Sequence, residues 1–255
     1  MENEVFLKKD GFVAEIVLNR PAKLNAVTPA MAATLETLCR QIDRDDDVRA
    51  VLVRGAGERA FCAGSDLNAL ADYETPWKFR NRLEYATFLR EMRKPVVAAL
   101  HGWVLGGGAE LALSADIRVM GRGAKFGFPE VQRGWVGGGG ASQMLPRLVG
   151  YGQAMRLLLT GDPIDADEAH KLGLVEYLVE DAAVEDTARA LCRKLAGYSP
   201  VAVESVKASV RMALTSTLPA GLKYENEMNT LCFAAGDYME GIRAFREKRD
   251  AEFKQ

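Results

Sequence analysis

The apolar positions of the chain fall into short blocks whose spacing alternates between strand-like and helix-like. Phe12 to Leu18 is a β-branched-rich run that predicts a strand, as do Arg49 to Val53, Val96 to Leu100 and Ile117 to Met120, with Lys125 to Phe128 a short extended piece. Thr28 to Ile42 has helical spacing behind Thr28-Pro29, a capping residue followed by proline at the first helical position. Pro76 to Met92 predicts a second amphipathic helix. After Gly150 the pattern turns mostly helical, over Gln153 to Leu159, Ala182 to Ala196, Pro200 to Ala213 and Leu218 to Ala235. No repeat of fixed period is visible. A strand–strand–helix order nevertheless recurs to about residue 150, which predicts an α/β core followed by a helical tail.

Length and composition narrow the functional classes. At 255 residues the chain is near the upper size of a single-core domain, and 48% hydrophobic residues with charges of both signs exclude a disordered or collagen-like chain. A net charge of −2 removes the electrostatic case for nucleic acid or an anionic membrane surface, although local basic clusters can still grip a phosphorylated ligand. No apolar run reaches the roughly 20 residues that span a bilayer. The opening Met1-Glu2-Asn3-Glu4 lacks the basic start of a secretory signal, so a cytoplasmic location is expected. Cys39, Cys62, Cys192 and Cys232 are scattered without a CxxC pair, which leaves disulfide or zinc frameworks without support. With only His101 and His170 in the chain, carboxylates must carry most of any proton chemistry.

Four segments bear on that chemistry. In Arg54-Gly-Ala-Gly-Glu-Arg-Ala60 the residues Gly55, Gly57 and Ala60 fit a dinucleotide fingerprint, but no helix opens on the glycines, and a turn between two extended pieces is the better reading. Ala63-Gly-Ser-Asp-Leu67 is a small-residue turn leading into a helix. It reads as a capped helix start with Ser65 or Asp66 as the cap, and equally leaves backbone N–H groups free to bind an oxyanion. Ser65 lacks the G-x-S-x-G setting of a nucleophile. Gly106-Gly107-Gly108 follows a buried strand and precedes an Ala/Leu helix former, which puts free N–H groups at a helix start and Glu110 in its first turn. There Glu110 serves either the helix dipole or catalysis. Glu130 follows Pro129 in an apolar stretch, as a surface turn residue or as an acid whose raised pKa suits proton donation. The Gly137–Gly140 run is no phosphate loop, since no Gly-Lys-Ser/Thr ends it.

Taken together, these segments resemble the enoyl-CoA hydratase/isomerase (crotonase) family over nearly the whole chain. The resemblance rests on Asn19-Arg-Pro-Ala-Lys-Leu-Asn-Ala26, Phe61-Cys-Ala-Gly-Ser-Asp-Leu67, Lys94-Pro-Val-Val-Ala-Ala-Leu-His-Gly102, Gly106-Gly-Gly-Ala-Glu-Leu-Ala112 and Phe126-Gly-Phe-Pro-Glu130, completed by Asp167–Val175 and Glu240–Arg249. It implies an α/β fold, a spiral of ββα units over residues 1–199, with a C-terminal helical region at 200–255 used for trimer formation. It implies a homotrimer or homohexamer that acts on an acyl-CoA thioester and needs no cofactor beyond the coenzyme A of its substrate. By motif position the thioester oxygen would sit between the N–H groups of Ser65 and Gly107, so the Ser65 side chain should matter little. Glu110 would deprotonate water and Glu130 would deliver the Cα proton. CoA would lie along Lys23 and Leu24 with Ala63, Asp66 and Leu67 near the adenine. Lys248, as a phosphate contact from this or a neighbouring subunit, or else a solvated helix charge, would complete the site.

The resemblance favours hydration, because family isomerases commonly keep only one acid at these two places. Isomerisation, thioester hydrolysis and decarboxylation use the same oxyanion hole and stay open. So does a non-catalytic binding role, RNA binding included, against which the near-neutral charge and the glutamate pair argue. The chain departs from the family where Trp135 is bulky, Gly137 replaces a proline, Ala141 a glycine and Met144 an arginine. These changes, with a variable stretch Asn68 to Met92 containing Trp77 and Tyr85, are expected to reshape the acyl pocket.

Overall fold

The structure, a computed structural model, describes residues 3–71 and 73–253; Met1, Glu2, Asp72, Lys254 and Gln255, which the expected spans include, lie outside the described residues. The chain opens with a hairpin, β1 (Val5–Asp10) and β2 (Val13–Leu18), and all six residues of β2 are buried. Helix α1 (Pro29–Arg44) begins as its sequence requires, with Thr28 Oγ1 accepting the Met31 N–H at 3.1 Å and Pro29 at the first position. Its Met31, Leu35, Cys39 and Ile42 form the buried stripe.

Three strand pairs follow, each ending in helix. The first is β3 (Ala50–Gly55) and β4 (Ala60–Cys62), with α2 (Leu67–Leu70), α3 (Pro76–Arg80) and α4 (Tyr85–Glu91). Next come β5 (Val96–Leu100), β6 (Trp103–Leu105) and α5 (Gly107–Ser114), then β7 (Ile117–Gly121), β8 (Lys125–Gly127), α6 (Ala141–Val149) and α7 (Tyr151–Thr160). The chain closes through β9 (Ile164–Asp165), α8 (Ala166–Lys171), β10 (Tyr177–Val179), α9 (Val184–Ala196), α10 (Pro200–Ala213), α11 (Leu218–Ala235) and α12 (Asp237–Glu247).

Each pair divides its strands between two sheets. The large sheet runs β1-β2-β3-β5-β7-β10 and the small one β4-β6-β8-β9, parallel except for the β1–β2 and β8–β9 pairings. Parallel strands are covered on both faces, which is why their sequences are near-continuously apolar. Val51 and Val53 face a core shared with α1, α4 and α5, whereas Leu52, Val97 and Val119 face Ala188 and Cys192 of α9. The expected turn at 55–60 is the β3–β4 connection, with Asp66, not Ser65, capping α2 through the Asn68 N–H.

The expected single helix Pro76–Met92 is a correction: it is two helices, α3 and α4, with an extended residue at Glu84 between them. The Arg82 guanidinium donates to the Phe79 carbonyl at 3.1 Å and to Glu84 Oε2 at 2.9 Å, taking up the end of α3 and holding the break. Trp77 is 67% exposed and does not line the cavity described below, contrary to expectation, whereas Tyr85 is buried and does.

The last three helices stand apart from the core. α10 is tied down by Lys207 to Asp116 at 2.6 Å and by Arg211 to the Met92 carbonyl at 3.1 Å. α11 buries none of its described residues and α12 only Ala244, leaving Leu218, Phe233 and Met239 exposed, with Phe245 85% exposed. Among the described residues, no helix is long and apolar enough to cross a membrane, and no cluster of His, Cys, Asp and Glu could hold a metal ion. All four cysteines are free.

Candidate active site

The three parallel strands of the small sheet, β4, β6 and β8, all run out into one cavity of about 630 Å³. Ala63 to Asp66 leave β4, Gly106 and Gly107 leave β6, and Pro129 and Glu130 leave β8, so the topology gathers distant sequence segments at the carboxyl ends of parallel strands.

Two backbone amides without acceptors border this floor. Gly64 has a φ of +96°, a left-handed conformation that turns the chain after β4, and a Cβ built on it would lie 3.1 Å from the Gly107 nitrogen. Gly64 thereby lets the Ser65 segment approach the start of α5. The Val27 N–H donates to the Gly64 carbonyl and the Asp66 N–H to the Val27 carbonyl, while the Ser65 N–H has no acceptor among the described residues. Gly107 is the first residue of α5, so its N–H has no acceptor within the helix, and none is found elsewhere among the described residues.

Glu110 sits one turn further along α5, only 3% exposed. Its Oε1 accepts the Ala141 N–H at 3.0 Å, at the start of α6. The Gly137–Gly140 loop folds directly over the carboxylate, and a Cβ at Gly137 would lie 2.5 Å from Oε1 and one at Gly139 2.7 Å from Oε2. Burial pushes the Glu110 pKa above its ordinary value against the opposing Ala141 and Gly139 N–H groups, and the charges of Glu130 and Glu84 push the same way. Glu130 lies in a short 3-10 turn after Pro129, and burial raises its pKa too, against its own N–H and the nearby Arg133. Its Oε1 would be 3.2 Å from a Cβ at Gly106, which places the acid beside the glycine that opens α5. Two carboxylates of raised pKa thus share a cavity with two unpaired amides, an arrangement suited to proton transfer next to a carbonyl whose oxygen gains charge.

The segments expected to hold CoA form another wall. Lys23, Leu24, Ala63, Asp66 and Leu67 all line the cavity. Leu24 and Asn25 are both left-handed, with φ of 52° and 55°, a conformation that Asn tolerates but Leu seldom takes. The fully buried Asn25 holds it there: its Oδ1 accepts the Arg20 N–H and its Nδ2 donates to the Ala56 and Ala60 carbonyls. The Ala63 N–H then donates to the Leu24 carbonyl at 3.0 Å, joining the two CoA segments. Asp66 is paired with Arg20 at 3.0 Å, and that bond holds its carboxyl below the usual range. Lys248 is the exception. It is exposed at the end of α12 and does not line the cavity of its own chain.

The stretch Asn68 to Met92 does supply cavity wall, though besides Tyr85 through residues that were not singled out within it. Phe79, Arg82 and Glu84 line the cavity from the broken helix, with the Arg82 guanidinium 4.1 Å over the Phe79 ring and the Phe79 and Trp135 ring centroids 5.2 Å apart in a T-shaped arrangement. Of the departures from the family pattern, Trp135 and Gly137 line the cavity, Ala141 donates to Glu110, and Met144 instead packs against the core.

Comparison with known proteins agrees with this geometry. The family model described as Enoyl-CoA hydratase/isomerase matches residues 8–255. A "Short-chain-enoyl-CoA hydratase" of Clostridium acetobutylicum is 37% identical over 98% of this chain and 97% of its own, and an "(E)-benzylidenesuccinyl-CoA hydratase" of Thauera aromatica is 34% identical over 98% of each. The crystal structure of an enoyl-CoA hydratase from Mycobacterium tuberculosis H37Rv superposes with a TM-score of 0.92 at 36% identity over 99% of both chains. With its split strand pairs, its two amides without acceptors and its two glutamates in one cavity, the chain belongs to the enoyl-CoA hydratase/isomerase family.

Proposed function

We propose that the protein adds water reversibly to a 2-enoyl-CoA thioester, giving a 3-hydroxyacyl-CoA. The observation that carries this reading is the pair of glutamates, Glu110 buried and Glu130 half-buried, both displaced toward the protonated form, in one cavity with two unpaired backbone amides. The Ser65 and Gly107 N–H groups would receive the thioester oxygen as the double bond polarises, each aimed donor lowering the barrier by about 3 kcal/mol. Glu110 takes a proton from water, the hydroxide oxygen bonds to Cβ, and Glu130 delivers its proton to Cα, so that the elements of one water are added. Proton return between the two acids resets the site. Because neighbouring carboxylates resist ionising together, one proton shared by the pair is the resting state near neutral pH. Hydration is the reaction named for relatives whose acyl groups differ as widely as short-chain and benzylidenesuccinyl, which separates the shared chemistry from the variable acyl wall.

Coenzyme A would enter as part of the substrate along Lys23, Leu24, Ala63, Asp66 and Leu67, with no further cofactor. Residues 1–199 would form the catalytic unit and 200–255 a helical region for assembly into trimers or hexamers, whose exposed apolar side chains on α11 and α12 support it. Lys248 would then reach a phosphate of CoA from a neighbouring subunit. A cytoplasmic location fits this substrate. The test is a panel of acyl-CoA thioesters with product masses. A gain of one water supports the reading, whereas unchanged mass with altered chromatography (isomerase) or free CoA (hydrolase) refutes it.

A further inference from the structure

We propose that the Tyr85 hydroxyl is a third hydrogen-bond donor to the thioester oxygen, oriented by the Ser65 hydroxyl and acting beside the two backbone amides. The proposal rests on the oxyanion site described above and adds to it a side chain from a different element, the first residue of α4.

The argument begins with counting protons. Tyr85 is buried, lines the cavity, and places its Oη 3.2 Å from Ser65 Oγ. On its other side a Cβ at Gly107 would overlap the same hydroxyl, so the phenol tip lies between the two residues whose amides form the hole. Neither hydroxyl has another partner among the described residues. Each brings one proton, and a single bond between them uses only one. The second has no acceptor among the described residues and sits at the cavity wall, where water, or a ligand that displaces the water, must accept its hydrogen bond. The acceptor that can arrive there is the substrate's thioester oxygen.

Acidity decides which hydroxyl donates outward. A phenol, with an ordinary pKa of about 10, is a far stronger acid than an aliphatic alcohol. As charge grows on the thioester oxygen it draws the stronger donor, and the Ser65 hydroxyl turns to donate to the phenol oxygen. The phenol keeps its proton while doing so. Burial raises its pKa well above the ordinary value, and the neighbouring Glu84 and Glu110 charges act in the same direction. The arrangement also gives Gly107 a second reason to lack a side chain, since any Cβ there would displace the donor. The Ser65 side chain consequently acts as an orienting group, with a smaller effect than Tyr85.

The experiment uses the full-length protein and 3-phenylpropenoyl-CoA, whose absorption band shifts to the red when the thioester carbonyl is polarised. Tyr85→Phe is expected to lower kcat roughly 10- to 100-fold with KM within about threefold, and to diminish the red shift of the bound thioester. Ser65→Ala should lower kcat by less than about threefold and keep most of the shift. Replacement of Tyr85 by a fluorotyrosine, which keeps the ring and hydroxyl but makes a stronger acid, should deepen the shift. This holds the test open if the phenylalanine variant folds poorly. A full red shift in Tyr85→Phe, or an unchanged shift with fluorotyrosine, overturns the assignment while leaving the two-amide site standing. A wild-type protein that binds the thioester without red shift or hydration overturns both.

Discussion

Replacing Glu110 by Gln tests the proton chemistry with little change of shape. The amide oxygen can still accept the Ala141 N–H, but a single oxygen cannot serve both Ala141 and Gly139 as the carboxylate does. That loss costs about 1 kcal/mol, the net worth of one hydrogen bond. Against it stands the removal of a charge that burial disfavours. A carboxyl with its folded-state pKa above its unfolded value binds more protons folded than unfolded. Stability therefore falls as pH rises from the ordinary carboxylate range through the raised pKa, and stays lowered above it. Glutamine carries no such penalty, so the variant should unfold at a temperature that depends less on pH as pH rises above the ordinary carboxylate range. Its net stability near neutrality should stay within about 1–2 kcal/mol of wild type. Catalysis has no comparable compensation: loss of the base should slow hydration at least about a hundredfold, or about 2.7 kcal/mol of barrier. Glu130→Gln should do the same, and the double variant should be far less than additive because the pair acts as a unit. The assay is single-turnover hydration in deuterated water, with folding and acyl-CoA binding checked for each protein. Near wild-type hydration by both folded, substrate-binding single variants would refute the two-glutamate mechanism, and inactivity of Glu130→Gln alone would shift the reading to isomerisation.

Gly107→Ala puts a Cβ into the Tyr85 hydroxyl and should destabilise the protein by about 1–3 kcal/mol; part of that loss should vanish in a Tyr85→Phe background, whose Cζ would still lie 2.9 Å from the new Cβ, and equal melting-temperature losses in both would contradict the packing argument. Exhaustive chelation should leave activity intact, and a strict metal requirement in rate assays would sink the cofactor-free reading. Light scattering at micromolar concentration should give a trimer or hexamer, and Phe245→Glu should weaken it; a wild-type monomer would remove both the assembly and the role of Lys248.

Where local chemistry determines local structure, the sequence was readable. Thr28-Pro29 starts α1, the apolar runs at Val96–Leu100 and Ile117–Met120 are buried parallel strands, and the 106–108 glycines open α5 with Glu110 in its first turn. The break at 81–84 was not readable, because Arg82 and Glu84 are ordinary exposed-helix residues until they find each other across the turn. The strand at Val5–Asp10 alternates poorly and was missed, since its pairing with β2 supplies what its own pattern does not. The site itself required more than pattern. The helix starts at Ser65 and Gly107 each signalled free N–H groups, but only the pairing of β4 with β6 brings the two segments together. Glu110 as a residue gripped by the loop thirty residues on, and Tyr85 as a hydroxyl between two amides, are products of tertiary contact.

The Gly137–Ala141 segment grips Glu110 with main chain: the Ala141 N–H holds Oε1, and a β-carbon added at Gly137 or Gly139 would press on one of the two carboxylate oxygens. The facing wall of Phe79, Arg82 and Glu84 is made of side chains on a helix already interrupted, tied to one another more than to the reacting groups. Mutation therefore meets two very different tolerances within one cavity. The first wall must keep its main-chain path against Glu110 for the reaction to survive, even where its residues depart from the family pattern as at Gly137 and Ala141, while the second can drift, swap aromatic for aliphatic, or lose its ion pair. Gene duplicates of such a protein can thus diverge in diet without relearning their chemistry, and a directed-evolution library aimed at new acyl groups belongs at residues 79–84, with 137–141 left untouched.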